Sequence, residues 1–91
     1  VSERKSMKQF DYVIRDKLGL HARAAAKLAR YAQTSACDIY IQKDRKIVDM
    51  KNVMGLISLK ALKNDKVSVF VNGEREEEVV EDMKRYMGEN L

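Results

Sequence analysis

The stretch Cys37-Asp38-Ile39-Tyr40-Ile41-Gln42-Lys43-Asp44-Arg45-Lys46-Ile47-Val48 reads as two strands joined by a tight turn. Cys37, Ile39 and Ile41 alternate with polar or amphipathic neighbours, which places them on the core face of a strand. The run Lys43-Asp44-Arg45-Lys46 is all charged and leads into a second short apolar run, Ile47-Val48. Asp-Arg is a weaker turn signal than Asn-Gly, but its position between two apolar runs predicts a hairpin. A hairpin in mid-chain makes the sheet at least partly antiparallel.

The segments on either side extend this reading. Upstream, Phe10, Tyr12 and Ile14 alternate as a first strand, interrupted by Val13. Lys17-Leu18-Gly19-Leu20 is a loop, where glycine permits a turn. From about Ala22 the chain is dominated by alanine, the best helix former. Ala25, Leu28, Ala29 and Ala32 fall at i, i+3, i+4 and i+7, a narrow apolar stripe that lets the helix sit close to the sheet. Downstream, Asn52 is an N-cap for a short helix over Val53 to Leu59. Asn64-Asp65 turns the chain into a fourth strand, Val67, Val69 and Val71, which ends at Asn72-Gly73. The last helix starts near Arg75. Glu76, Glu77 and Glu78 lie in its first turns and Lys84 and Arg85 in its later ones, the order that suits the helix macrodipole. Val79 or Val80, with Met83 and Met87, forms its buried stripe. The order is β-α-β-β-α-β-α, an α+β arrangement with helices on one face of a mostly antiparallel sheet. Residues 1–6 are expected to be a disordered extension, and residues 7–91 a single domain.

Composition narrows the function. Ninety-one residues, 45% hydrophobic and 35% charged, suit one small globular domain with a thin core and little room for a deep cleft. No apolar run approaches the roughly 18 residues of a membrane span, so no membrane insertion is expected. The polar start Val1-Ser2-Glu3-Arg4-Lys5 lacks a signal-peptide h-region, and the cytoplasm is the expected location. One cysteine, Cys37, cannot form an internal disulfide, and one His with one Cys makes no metal site. The expected cofactors are none. The net charge of +4 favours an acidic partner. A nucleic-acid-binding α/β module is the alternative of another class, although no RNP aromatics, GXXG loop or zinc-finger spacing support it.

The single histidine, His21, sits between Gly19-Leu20 and the alanine-rich helix. A helix start offers unpaired N–H groups and partial positive charge, both of which attract phosphate. Arg23 is placed to pair with phosphate oxygens. A neutral imidazole nitrogen is a competent nucleophile. A lone histidine here also fits a surface or capping role. No carboxylate is placed as a base for it and no Gly-rich nucleotide loop follows any strand, so an autonomous kinase is disfavoured.

Gly19-Leu20-His21-Ala22-Arg23-Ala24-Ala25 closely resembles the active-site signature of HPr, the histidine phosphocarrier family of the bacterial phosphoenolpyruvate-dependent sugar phosphotransferase system. Lys51-Asn52-Val53-Met54-Gly55-Leu56-Ile57-Ser58-Leu59 resembles the family's second motif, at a suitable distance. Two separated motifs are far more specific than either alone, and the resemblance covers about residues 7–88. It implies an open-faced β-sandwich, a four-stranded antiparallel sheet covered on one face by three helices. It implies a carrier, not an enzyme: His21 as phosphohistidine acceptor through Nδ1, Arg23 as phosphate ligand, and the backbone of Ala22 at the helix start. Enzyme I would donate and IIA domains of sugar permeases would accept, by transient docking of a monomer. An HPr-like paralogue serving a regulatory phosphorelay is the alternative within the resemblance.

Two positions depart from the family pattern. Ala24 stands where proline is usual, which loosens the preset of the helix start. Asn52 stands where Gram-positive relatives have a serine phosphorylated by HPr kinase/phosphorylase. Asparagine keeps the cap but has no hydroxyl, so that switch is expected to be absent. The expected partner surface combines Val53, Met54 and Ile57 with Ala26, Lys27 and Arg30. With Leu56 and Leu59 turned to the core, Met54 and Ile57 are expected to face outward. This makes a small apolar patch rimmed by positive charge.

Overall fold

The computed structural model describes residues 7–91, so the expected disordered extension, residues 1–6, lies outside the described residues. Four strands and three helices follow in order: β1 (Lys8–Val13), α1 (Ala22–Gln33), β2 (Asp38–Lys43), β3 (Lys46–Asp49), α2 (Val53–Ser58), β4 (Lys66–Asn72) and α3 (Glu76–Asn90). The strands form one sheet in the order β1-β4-β2-β3, antiparallel at every pairing. This is the open-faced β-sandwich that the resemblance implies.

The register explains which residues are inside. Phe10 pairs with Val69, and Val69 with Ile41. These residues, with Ile39, Val67 and Val71, form the buried face. The other face carries Gln9, Phe70, Tyr40 and Asp49 in one row and Asp11, Ser68, Gln42 and Ile47 in the next. Val13 points to this open face and is exposed, which accounts for its break in the alternation. Ile14 is fully buried just beyond β1. The hairpin turns at Asp44-Arg45, with Asp44 in the left-handed region at φ 55°. Lys43 and Lys46 pair across it.

Helix α1 buries Ala25, Leu28, Ala29 and Ala32, the stripe read from sequence. Asn52 caps α2 by accepting from the Gly55 N–H at 3.1 Å. Helix α3 buries Val80, Met83 and Met87, and Val79 is only half-buried. The Tyr12 hydroxyl reaches across to the Met87 carbonyl at 3.0 Å and ties β1 to α3. Among the described residues no charged or polar side chain is buried.

Candidate functional site

His21 is the N-cap of α1, extended at φ −79° and ψ 177°. Its carbonyl accepts the first helical bond, from Ala25 N–H at 2.8 Å. Its side chain makes no capping bond, and the first turn of α1 holds no acidic residue. The N–H groups of Ala22, Arg23 and Ala24 precede that first bond and point out of the helix end. The positive end of the helix is thus left to an outside anion.

Neighbouring segments hold the loop that carries His21. On one side, the Arg15 and Asp16 N–H groups both donate to the Leu91 carbonyl at 2.7 Å. The Arg15 guanidinium donates to the Gly88 carbonyl at 2.7 Å. On the other side, Leu20 N–H donates to the Ala61 carbonyl at 2.8 Å. Within the loop, the Asp16 carboxylate accepts from Leu18 N–H at 2.8 Å. Gly19 adopts φ 66° in this turn.

His21, Arg23 and Lys27 line one open pocket of about 260 Å³. Asp16, Leu18, Ala24, Leu28, Tyr86, Asn90 and Leu91 complete its wall. Arg23, Lys27 and Arg30 are all exposed, and none has an ion-pair partner among the described residues. They recur at i, i+4 and i+7, which sets them along one outward ridge of α1. Beyond Lys27 the groove continues past Arg30 and Thr34 over Tyr31 and Tyr86. Those two rings stack at 4.2 Å. The Tyr31 hydroxyl bonds the Asp82 carboxylate, and this bond, more than burial, pushes its pKa up.

The other expected site residues divide. Ala22 and Ala26 are exposed on α1, and Met54 is 71% exposed on α2. Val53 and Ile57 are half-buried and pack against the core. The outward orientation expected of Ile57 is therefore only partly met: at six residues α2 is too short to present two separate faces, and Leu56 already takes the core position. Helices α1 and α2 lie against each other, joined by Gln33 donating to the Lys51 carbonyl at 2.9 Å. Sequence reading did not find Tyr86, Asn90 and Leu91, some 65–70 positions from His21. Only the docking of the α3 end onto the loop at Arg15 and Asp16 brings them to the pocket.

A family model described as the PTS HPr component phosphorylation site matches residues 8–89. The chain belongs to the HPr family. This is a family of phosphocarrier proteins, which carry a phosphoryl group and are not themselves catalysts. The chain is 36% identical to the phosphocarrier protein HPr of Cupriavidus necator over 75 residues, covering 82% of this chain and 84% of that one. It is 36% identical to the HPr-like protein Crh of Bacillus subtilis over 78 residues, 86% of this chain and 92% of Crh. The crystal structure of HPr from Thermoanaerobacter tengcongensis superposes with a TM-score of 0.85 at 31% identity, covering 91% of this chain and 93% of that one. The crystal structure of Crh is a domain-swapped, intertwined dimer; it matches with a TM-score of 0.68 at 32% identity, over 100% of this chain and 97% of that one.

Proposed function

We propose that His21 accepts a phosphoryl group from enzyme I and passes it to IIA domains of sugar permeases. The observation that carries this reading is the uncapped N-terminus of α1: a histidine at the N-cap with no side-chain capping bond, no acid in the first turn, and, two residues on, an arginine with no ion-pair partner among the described residues. In the forward step the imidazole Nδ1 lone pair attacks phosphorus, an N–P bond forms, and the donor's bond to phosphorus breaks. In the return step the roles reverse on the acceptor. The helix N–H groups and the Arg23 guanidinium hold the equatorial oxygens, where charge concentrates during transfer. The partners supply the remaining catalytic groups.

The partner surface of this reading is Met54 with Val53 and Ile57 on α2, and Ala26, Lys27 and Arg30 on α1. The cytoplasm is the compartment where these partners meet. We take the working form to be a monomer. The swap seen in Crh makes dimerisation a question for this chain, and light scattering at the concentrations used for transfer answers it.

The similarity to Crh favours one second reading, a paralogue in a regulatory relay. The test is incubation with enzyme I and labelled phosphoenolpyruvate. The expected product is an acid-labile, base-stable phosphoramidate that is lost in His21→Ala. Absence of label would sink the carrier reading. Label that moves to no member of a IIA panel would favour the regulatory relay.

A further inference from the structure

Leu18 and Leu62 are 68% and 61% exposed, more than any other large apolar side chain among the described residues except Met54. Both are held out on fixed turns. Leu18 N–H donates to the Asp16 carboxylate and Gly19 N–H to the Asp16 carbonyl, at 2.8 and 2.9 Å. Leu62 N–H donates to the Asp65 carboxylate at 2.8 Å, and Asp65 N–H returns to the Leu62 carbonyl at 2.9 Å. Lys43 pairs with Asp65 at 3.2 Å. The two turns abut: a β-carbon placed on Gly19 would lie 2.8 Å from the Leu62 Cα.

Positive charge flanks this pair along the chain. Lys17 and Lys63 adjoin the leucines and Lys60 stands two residues before Leu62; all three are exposed and have no ion-pair partner among the described residues. The local acids, Asp16 and Asp65, are committed to the turns. Leucines this exposed add little to the fold. Because the turns already fix them, a partner covering them loses little entropy in ordering them. Leu18 also lines the His21 pocket, so a protein seated over His21 reaches the ridge in the same encounter.

We propose that Leu18 and Leu62, flanked in sequence by Lys17, Lys60 and Lys63, form a second docking ridge beside His21, separate from the α2 patch. It fits a protein partner whose phosphoryl-bearing face presents an apolar recess rimmed by Asp and Glu. Cationic rims raise encounter rates with such a face, and the leucines fix its register. The ridge rests on the carrier reading and adds a determinant of partner choice to it.

The experiment measures initial rates of labelled phosphoryl transfer from enzyme I to the full chain and its variants. Leu18→Ser/Leu62→Ser raises KM by about tenfold or more, with kcat within about twofold. Lys17→Glu/Lys63→Glu raises KM at low salt, and the difference narrows as salt screens the charges. Ile47→Ser, an equally apolar change on the open sheet face, leaves KM as it was. Amide spectra confirm that each variant is folded. An unchanged KM in the double leucine variant overturns the ridge while leaving the carrier reading intact. A fall in kcat at constant KM also overturns it, by making the leucines part of the loop that positions His21. A wild-type chain that takes no label overturns the carrier reading and the ridge together.

Discussion

Gly19 and Ala61 meet at closer range than any side chain at position 19 allows. A β-carbon on Gly19 would lie 2.6 Å from the Ala61 carbonyl oxygen, and Leu20 uses that same oxygen as its acceptor at 2.8 Å. Gly19 also sits at φ 66°, a region that costs other residues roughly 1–2 kcal/mol. This contact fixes the backbone two residues before His21. Substrate-binding loops elsewhere are often left mobile; this one is pinned.

Gly19→Ala therefore destabilises the fold by at least about 2 kcal/mol, from the left-handed backbone and the clash together. At this chain length that lowers Tm by about 10 °C. Transfer to His21 slows even well below Tm, because the loop must shift to relieve the contact. Gly88→Ala is the control. Nothing lies within 4 Å of a β-carbon there and the residue is helical, so alanine gains roughly 0.5–1 kcal/mol. Thermal unfolding of the two variants checks both signs. A neutral Gly19→Ala would mean that the loop is free to move.

Arg23→Ala should separate phosphate binding from stability. The side chain is exposed and has no ion-pair partner among the described residues, so its loss leaves Tm within about 2 °C. Transfer through His21 falls about 10- to 100-fold, the scale for losing one charged donor to a phosphoryl group. Arg23→Lys keeps the charge but not the planar fork and recovers only part of the rate. Equal rates in all three proteins would leave the helix N–H groups as the whole phosphate site.

Asn52→Ala removes the acceptor for Gly55 N–H and costs about 1 kcal/mol. Asn52→Ser keeps a capping oxygen and stays within about 0.5 kcal/mol of the parent. The two variants also test the missing hydroxyl. HPr kinase with ATP leaves the parent unmodified at position 52 and adds phosphate to Asn52→Ser. Phosphopeptide mapping reads this directly, because the carboxamide of Asn52 has no hydroxyl to take the phosphate. A parent labelled at Ser58 instead would show that α2 is still a kinase substrate. Ser58 already donates to the Gly55 carbonyl at 2.7 Å, which argues against that.

The sheet, the three helices and the N-cap position of His21 were legible because each rests on local pattern: the Val67-Val69-Val71 alternation, the Ala25-Leu28-Ala29-Ala32 stripe, the Asn52 cap. What was not legible depends on contacts between distant segments. Nothing around Leu91 signals that its carbonyl takes two N–H groups from Arg15 and Asp16. Nothing in Ala61-Leu62 signals that they pack on Gly19. The half-burial of Ile57 likewise follows from the closeness of α2 to the core, which a periodic pattern six residues long does not determine. The ridge of Arg23, Lys27 and Arg30 lies between these cases. Its spacing is visible in sequence, but its lack of acidic partners among the described residues is visible only in the fold.

Asp65 sets the pH dependence of the turn that presents Leu62. The Leu62 N–H, then the Lys43 ammonium, hold its carboxyl below the usual carboxylate range. A folded pKa below the unfolded value contributes stability above the unfolded pKa, near 4, and loses it as pH falls through the folded value. Asp11 behaves alike, held down first by its hydrogen bond from the Ser68 hydroxyl. Asp65→Asn keeps an oxygen for Leu62 N–H but cannot ionise. The wild type is accordingly more stable than Asp65→Asn at pH 6, and the difference closes as pH drops below about 4. Urea unfolding of both proteins from pH 6 to pH 2.5 measures that difference. A difference that stays constant with pH would show that the charge on Asp65 contributes nothing, and that the turn stands on its backbone bonds alone.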